Sequence, residues 1–173
     1  MDMQSMSSLS KLMRYSRWAC DRLYGAVLQG PKPTHAASGG GAHEKILDAL
    51  GHIFIVDQIW KSHLIGVAHE FSKRRFEQTP DGTQLKIDQS AVNDWFVDYV
   101  DGLADDRCND PIEFKFVSGT VGNMTRSDML FHVINHRTYH WGSVTEMMRQ
   151  AGYQRPSLDL CVYLTESLSG ATP

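Results

Sequence analysis

The sequence predicts an all-α protein built as a four-helix bundle. Three observations lead there. Apolar residues recur at three- and four-residue intervals through long windows, the period of a helix with one face turned to a core. Stretches rich in Pro, Gly or charge separate those windows. Only one short segment alternates with the period of a strand, too little to organise a chain of 173 residues around a sheet.

The first helix is expected from roughly Ser8 to Gln29, where Leu9, Leu12, Met13, Ser16, Ala19, Cys20, Leu23, Tyr24 and Val27 share a face. The run "GPKPTHAASGGGA" forbids its continuation. A second helix is expected from about Ala42 to Ala68. A third follows from about Gln89 to Ala104, with Val92, Trp95, Phe96, Tyr99, Val100 and Leu103 at helical spacing. The connection from Glu70 to Asp88 is too long for a tight antiparallel turn. It predicts a long crossover that runs along the bundle and leaves helices two and three parallel. "PIEFKFVSGTVGNM" alternates around Ser-Gly and reads as a small β-hairpin or extended excursion. Thr125 with Asp128 resembles a capping box that opens a fourth helix, reaching about Gln150 and capped by Gly152. A short C-terminal helix is expected after Pro156.

Length and composition fit a single domain over residues 1–173, with 42% hydrophobic and 21% charged residues. The net charge of −3 carries no electrostatic footprint for nucleic acid. The one basic run, "SKRR" from Ser72 to Arg75, reads as a solvated loop. No span reaches the roughly 20 apolar residues that cross a bilayer, and the charged N-terminal helix is no secretory signal. Cys20, Cys108 and Cys161 are scattered and form no CxxC pair, which suggests reduced thiols in a cytoplasmic protein.

The segment "FHVINHRTYHWGSV" carries histidines at 132, 136 and 140. With about 100° per residue, Met129, Val133, His140, Val144, Met147 and Ala151 fall within about 60° of one another. His136 lies just beside that stripe and His132 toward its edge, while Phe131, Thr138, Gly142 and Arg149 lie opposite. His136 and His140 are therefore expected to point into the bundle. His132 and His140 are about 12 Å apart along the axis, too far for one metal. A third ligand should come from helix two, whose interior stripe reads Ala49, His52, Val56, Ile59, Trp60 and His63; His43 lies nearly opposite. His52 and His63 are about 16 Å apart, so only one can serve, and spacing leaves both open. The competing reading is that these are hydrogen-bonded core histidines or pocket walls.

"YSRWACDRLY", "LGHIFIVDQIW", "HVINHRTYHWGSV" and "PSLDLCVYL" together resemble the DinB-like (YfiT-like) four-helix-bundle family, over nearly the whole chain. The family is unrelated to the DNA polymerase of that name. The resemblance implies metal ligands at His52, which opens an H-[IL]-x-x-[VA]-[DE]-x-x-W run ending at Trp60, and at His136 and His140 in an N-H-x-x-x-H core. Members often read H-H-R-G-Q across the last ligand, where this chain has Tyr139, His140, Trp141, Gly142 and Ser143. The superfamily includes metal-dependent thiol transferases that act with bacillithiol or mycothiol.

Three imidazoles suit one divalent ion, Zn²⁺ or Ni²⁺ first and Fe²⁺ after them, with positions left open for water or thiolate. The expectation is a metal-dependent S-transferase or hydrolase acting on a small molecule or low-molecular-weight thiol. Two alternatives stand beside it: a non-catalytic metal- or small-ligand-binding stress-response module, and a helical interaction protein without metal. Trp60, Trp141 and Ser143 are the candidate wall residues, and Asp57 reads as either outer support or a surface charge. Leu47, Phe54 and Ile65, with Ile55 on another flank, give helix two a second apolar side. That predicts a homodimer unless the 70–88 connection covers it.

Overall fold

The computed structural model describes residues 3–31 and 41–169, and side chains from Ser8 onward. Much of the Pro- and Gly-rich breaker after the first helix (residues 32–40) lies outside these residues. Four long helices form the bundle: α1 (Met3–Leu28), α2 (Ala42–Ile65), α3 (Gly82–Asp101) and α4 (Arg126–Gln150). A hairpin of β1 (Pro111–Lys115) and β2 (Val121–Thr125) precedes α4, and α5 (Leu160–Leu168) ends the described chain.

Cross-helix contacts give the directions. Leu47, Asp57 and Leu64 of α2 meet Gly82, Gln89 and Tyr99 of α3 in the same order, so these helices run parallel. Arg14 and Arg17 of α1 pair with Asp101 and Asp94, so α1 and α3 are antiparallel. Asp57 meets Arg137 and Leu64 meets Arg126, so α2 and α4 are antiparallel. The connection between α2 and α3 thus runs the length of the bundle, as its length predicts.

Two boundaries differ from the sequence reading. α3 begins at Gly82 rather than near Gln89, because Asp81 caps it by accepting a 2.8 Å hydrogen bond from Gln84 N. Its first two turns are mostly polar and bury little beyond Leu85, so hydrophobic periodicity misses them. α2 stops at Ile65, three residues early. The cap on α4 is as expected at one end: Thr125 Oγ1 accepts from Asp128 N at 3.1 Å, while its hydroxyl donates to Asp128 Oδ2 at 2.7 Å. At the other end Gly152, with φ of 77°, lets its own N–H reach Arg149 O and the N–H of Tyr153 reach Met148 O, closing a Schellman motif.

The buried face of α4 is not the one periodicity selects. Met129, Leu130, Val133, Ile134, Arg137, Trp141, Val144 and Met148 are buried. That face is centred near Arg137, roughly 80° round from Met129. His136 and His140 lie on its flank, half-buried, rather than in the core. An interior arginine causes the shift, since hydropathy assigns it to solvent.

Arg137 is fully buried and sits at the centre of a polar network drawn from all four long helices. Its Nε donates to Asp57 Oδ2 at 2.9 Å and one terminal nitrogen donates to Ser16 Oγ at 3.0 Å. Gln89 Nε2 donates to the same Asp57 oxygen at 2.9 Å and to Asn93 Oδ1 at 3.2 Å. The guanidinium lies 5.2 Å over the Phe96 ring. Asp57 is therefore neither a surface charge nor a residue of the groove. Burial drives its carboxyl upward, and Arg137, with the hydrogen bonds it accepts, drives it back down.

The second apolar side of α2 is covered within the protomer. Leu47, Phe54 and Ile55 are buried, and Phe76 from the crossover stacks on Phe54 with centroids 6.2 Å apart. Ile65 alone of that set is exposed. The homodimer expectation thus loses the exposed patch on which it stands. None of the helices is long and apolar enough to cross a membrane; Cys20 and Cys108 are buried and Cys161 is exposed.

Candidate metal centre

α2 and α4 face each other across a groove of about 1370 Å³, closed along one side by residues 73–79 of the crossover. His52 projects from α2, and His136 with His140 from successive turns of α4. Ring centroids are 5.3 Å apart for His52–His136, 4.7 Å for His52–His140 and 4.4 Å for His136–His140. One ring nitrogen from each lies within 4.8 Å of the others. Bonds of about 2.1 Å to one ion need only a modest inward movement of the rings. This three-histidine group can hold a metal ion.

The hydrogen bonds around the rings suit that chemistry. His52 Nδ1 lies 2.6 Å from the carbonyl oxygen of Arg74. A carbonyl only accepts, so Nδ1 carries the proton, and a neutral ring then has its lone pair on Nε2. Metal-binding histidines are commonly oriented by such a contact. His136 Nδ1 is buried without a hydrogen-bond partner among the described residues, as befits a nitrogen that serves something other than a donor. Burial, and then His140, His52, His132 and Arg137, hold His136 down to about 3. Burial and His52 also lower His140. Both are neutral at physiological pH, the form a metal requires.

The crossover is clamped to α2. Phe76 packs against the Gly51 backbone so closely that a Cβ there would lie 2.9 Å from the Phe76 ring. Only glycine admits that approach. Because Gly51 adjoins His52, the same contact sets Arg74 O at hydrogen-bond distance from the imidazole.

The other sequence candidates lie elsewhere. His132 is outside the three-histidine group, with its ring 4.6 Å from Trp60. His63 packs with Phe114 and His69, a turn or more beyond the groove. His43 accepts or donates a 2.8 Å hydrogen bond with the Tyr153 hydroxyl. None of the three proposed wall residues lines the groove. Trp60 lies under the hairpin against Phe114, Trp141 is buried against Tyr15, and Ser143 faces outward. The walls are instead Tyr139, which sets its edge to His140 at 5.1 Å, and the basic run read as a solvated loop. The only hint in the sequence was the length of the crossover.

A family model described as the DinB family matches residues 3–168. Protein DinB of Bacillus subtilis (strain 168) is 28% identical over 159 residues, covering 89% of this chain and 92% of that protein. The crystal structure of a DinB-like protein from Bacillus cereus ATCC 10987 matches with a TM-score of 0.58 at 20% identity, covering 90% of this chain and 96% of that one. At that identity the likeness is one of fold.

Proposed function

Since the chain belongs to the DinB family, we propose that His52, His136 and His140 bind one divalent metal ion, Zn²⁺ or Ni²⁺ first and Fe²⁺ after them. The protein then acts as a metal-dependent enzyme of the thiol-transferase or hydrolase type. The observation that carries this reading is the convergence of three imidazoles on one open groove, with the His52 ring held by Arg74 O. Such an ion, when bound, would lower the pKa of a coordinated water to about 7 and hold a coordinated thiol as its thiolate.

The chain's own residues supply the rest. The Arg74 carbonyl holds the His52 ring in one orientation and keeps its proton on Nδ1, which leaves the Nε2 lone pair for the ion. The buried setting of His136 keeps its lone pair free. Arg137 and Asp57 fasten α4 to α2 near the level of the ligands, which fixes their separation. Residues 73–79 wall one side and leave the other open to a small molecule.

Elemental analysis of untagged protein, purified without a nickel column, should find about one divalent ion per chain. Substituting His52, His136 or His140 by Ala should abolish it, and His132→Ala should not; equal losses would refute the ligand set. With Co²⁺ as a spectroscopic substitute, glutathione, bacillithiol or mycothiol should change the d–d bands. Silence with every thiol, together with no hydrolysis by metal-loaded protein, would favour the non-catalytic binding module.

A further inference from the structure

We propose that the groove recognises a small anion: a molecule that offers the metal its donor atom and carries, in addition, an acidic group received by Arg74 and Arg75. This rests on the metal reading above and names the class of ligand for the same site.

The argument starts from charge. Imidazole ligands, unlike carboxylates or thiolates, bring no negative charge to a divalent ion. The nearest buried carboxylate, Asp57, faces away from the groove and is already committed to Arg137 at 2.9 Å. The groove itself is lined by five charged side chains, Asp48, Lys73, Arg74, Arg75 and Glu77. Lys73 and Glu77 pair with each other at 3.2 Å. That leaves Arg74 and Arg75 against Asp48, and neither guanidinium is paired with a carboxylate among the described residues. With the ion in place, the groove is strongly positive and lacks its counter-charge.

Position is the second observation. Exposed arginines on a free loop would say little. Here the segment that carries them is held at both levels: the Arg74 main chain is bonded to the ligand His52, and Phe76 is seated on Gly51 and Phe54. The guanidinium groups therefore start from a backbone placed against the metal ligands. A planar donor fork so placed suits a carboxylate or a phosphate.

The test uses Co²⁺-loaded protein and two thiols, 3-mercaptopropionate and 2-mercaptoethanol, titrated through the d–d spectrum and compared at equal thiolate concentration. Malonate against acetate is run in parallel. The acid-bearing member of each pair should bind about five- to tenfold tighter at low salt, and high salt should shrink the difference. Arg74→Gln with Arg75→Gln should bring the affinity ratio toward one, with metal content checked in the same samples. Equal affinities within both pairs, no response to any of the four, or a preference that survives in the double variant would overturn the proposal. If the thiols are silent but malonate outcompetes acetate in an arginine-dependent way, anion recognition stands and the thiol-transfer reading falls. If both thiols bind equally well and malonate gains nothing over acetate, the reverse holds.

Discussion

Arg137→Met removes the cation at the centre of the bundle and leaves Asp57 behind. In the native protein both side chains are fully buried, and one Asp57 oxygen takes bonds from Arg137 and Gln89 while Oδ1 has no partner. With arginine gone, one amide donor remains for a carboxylate out of contact with water. Removing one member of such a pair costs about 3–5 kcal/mol, chiefly the cost of the stranded charge. For a domain of this size that lowers Tm by roughly 6–20 °C. The stranded acid has an escape, which gives the prediction a signature. Burial raises Asp57, and the variant removes Arg137, the largest influence opposing it, so folding favours the protonated acid. The folded state then binds more protons than the unfolded state above the unfolded pKa of about 3.9, and stability falls as pH rises. Urea unfolding at pH 5 and pH 8 should show the variant weaker at pH 8. Combining Asp57→Leu with Arg137→Met should recover much of the loss, because an apolar pair of similar volume tolerates the site. A loss under about 1 kcal/mol, a loss equal at both pH values, or a double variant as weak as the sum of the singles would refute the buried ion pair as the cause.

Gly51→Ala should press on the Phe76 ring, shift residues 73–79 and loosen Arg74 O from His52. Metal affinity should fall by about 10- to 100-fold, the usual scale for a lost orienting contact; unchanged affinity by competitive titration would show that the clamp does not act on the ligand. The metal-free protein should lose stability as pH falls below about 6.5. His136 and His140 are depressed in the folded state, so the unfolded chain takes up protons first; acid urea midpoints that do not move would contradict the buried neutral rings. Light scattering at micromolar concentration should give a mass near 19.5 kDa, since the far side of α2 is covered by Phe76 and its neighbours. Twice that mass would place a two-fold contact on some other surface.

Local regularities of the sequence carried most of the architecture. Helical spacing marked four long helices, alternation around Ser-Gly marked the hairpin, and Thr125 and Gly152 marked the ends of α4, because each depends on residues only a few positions apart. The same locality made the His136–His140 pair visible, since an i, i+4 step sets two side chains on one face whatever surrounds the helix. The start of α3 was missed for a local reason too: a polar first turn held by Asp81 has no hydrophobic signal.

What decided the site lies between elements. Spacing alone left His52 and His63 equivalent; the resemblance chose His52, and the antiparallel register of α2 and α4, locked where Asp57 meets Arg137, sets it opposite the pair. Arg137 and Asp57 are 80 residues apart, and each by itself reads as a surface charge, so neither the core face of α4 nor the burial of Asp57 follows from composition or period. The groove wall is the same case: "SKRR" is polar and reads as solvated until Phe76 anchors it beside Gly51. A sequence determines which face a helix can offer, because the backbone geometry is periodic. Only the packed tertiary structure determines which face is used, because burying a charge depends on whether a distant partner arrives to meet it.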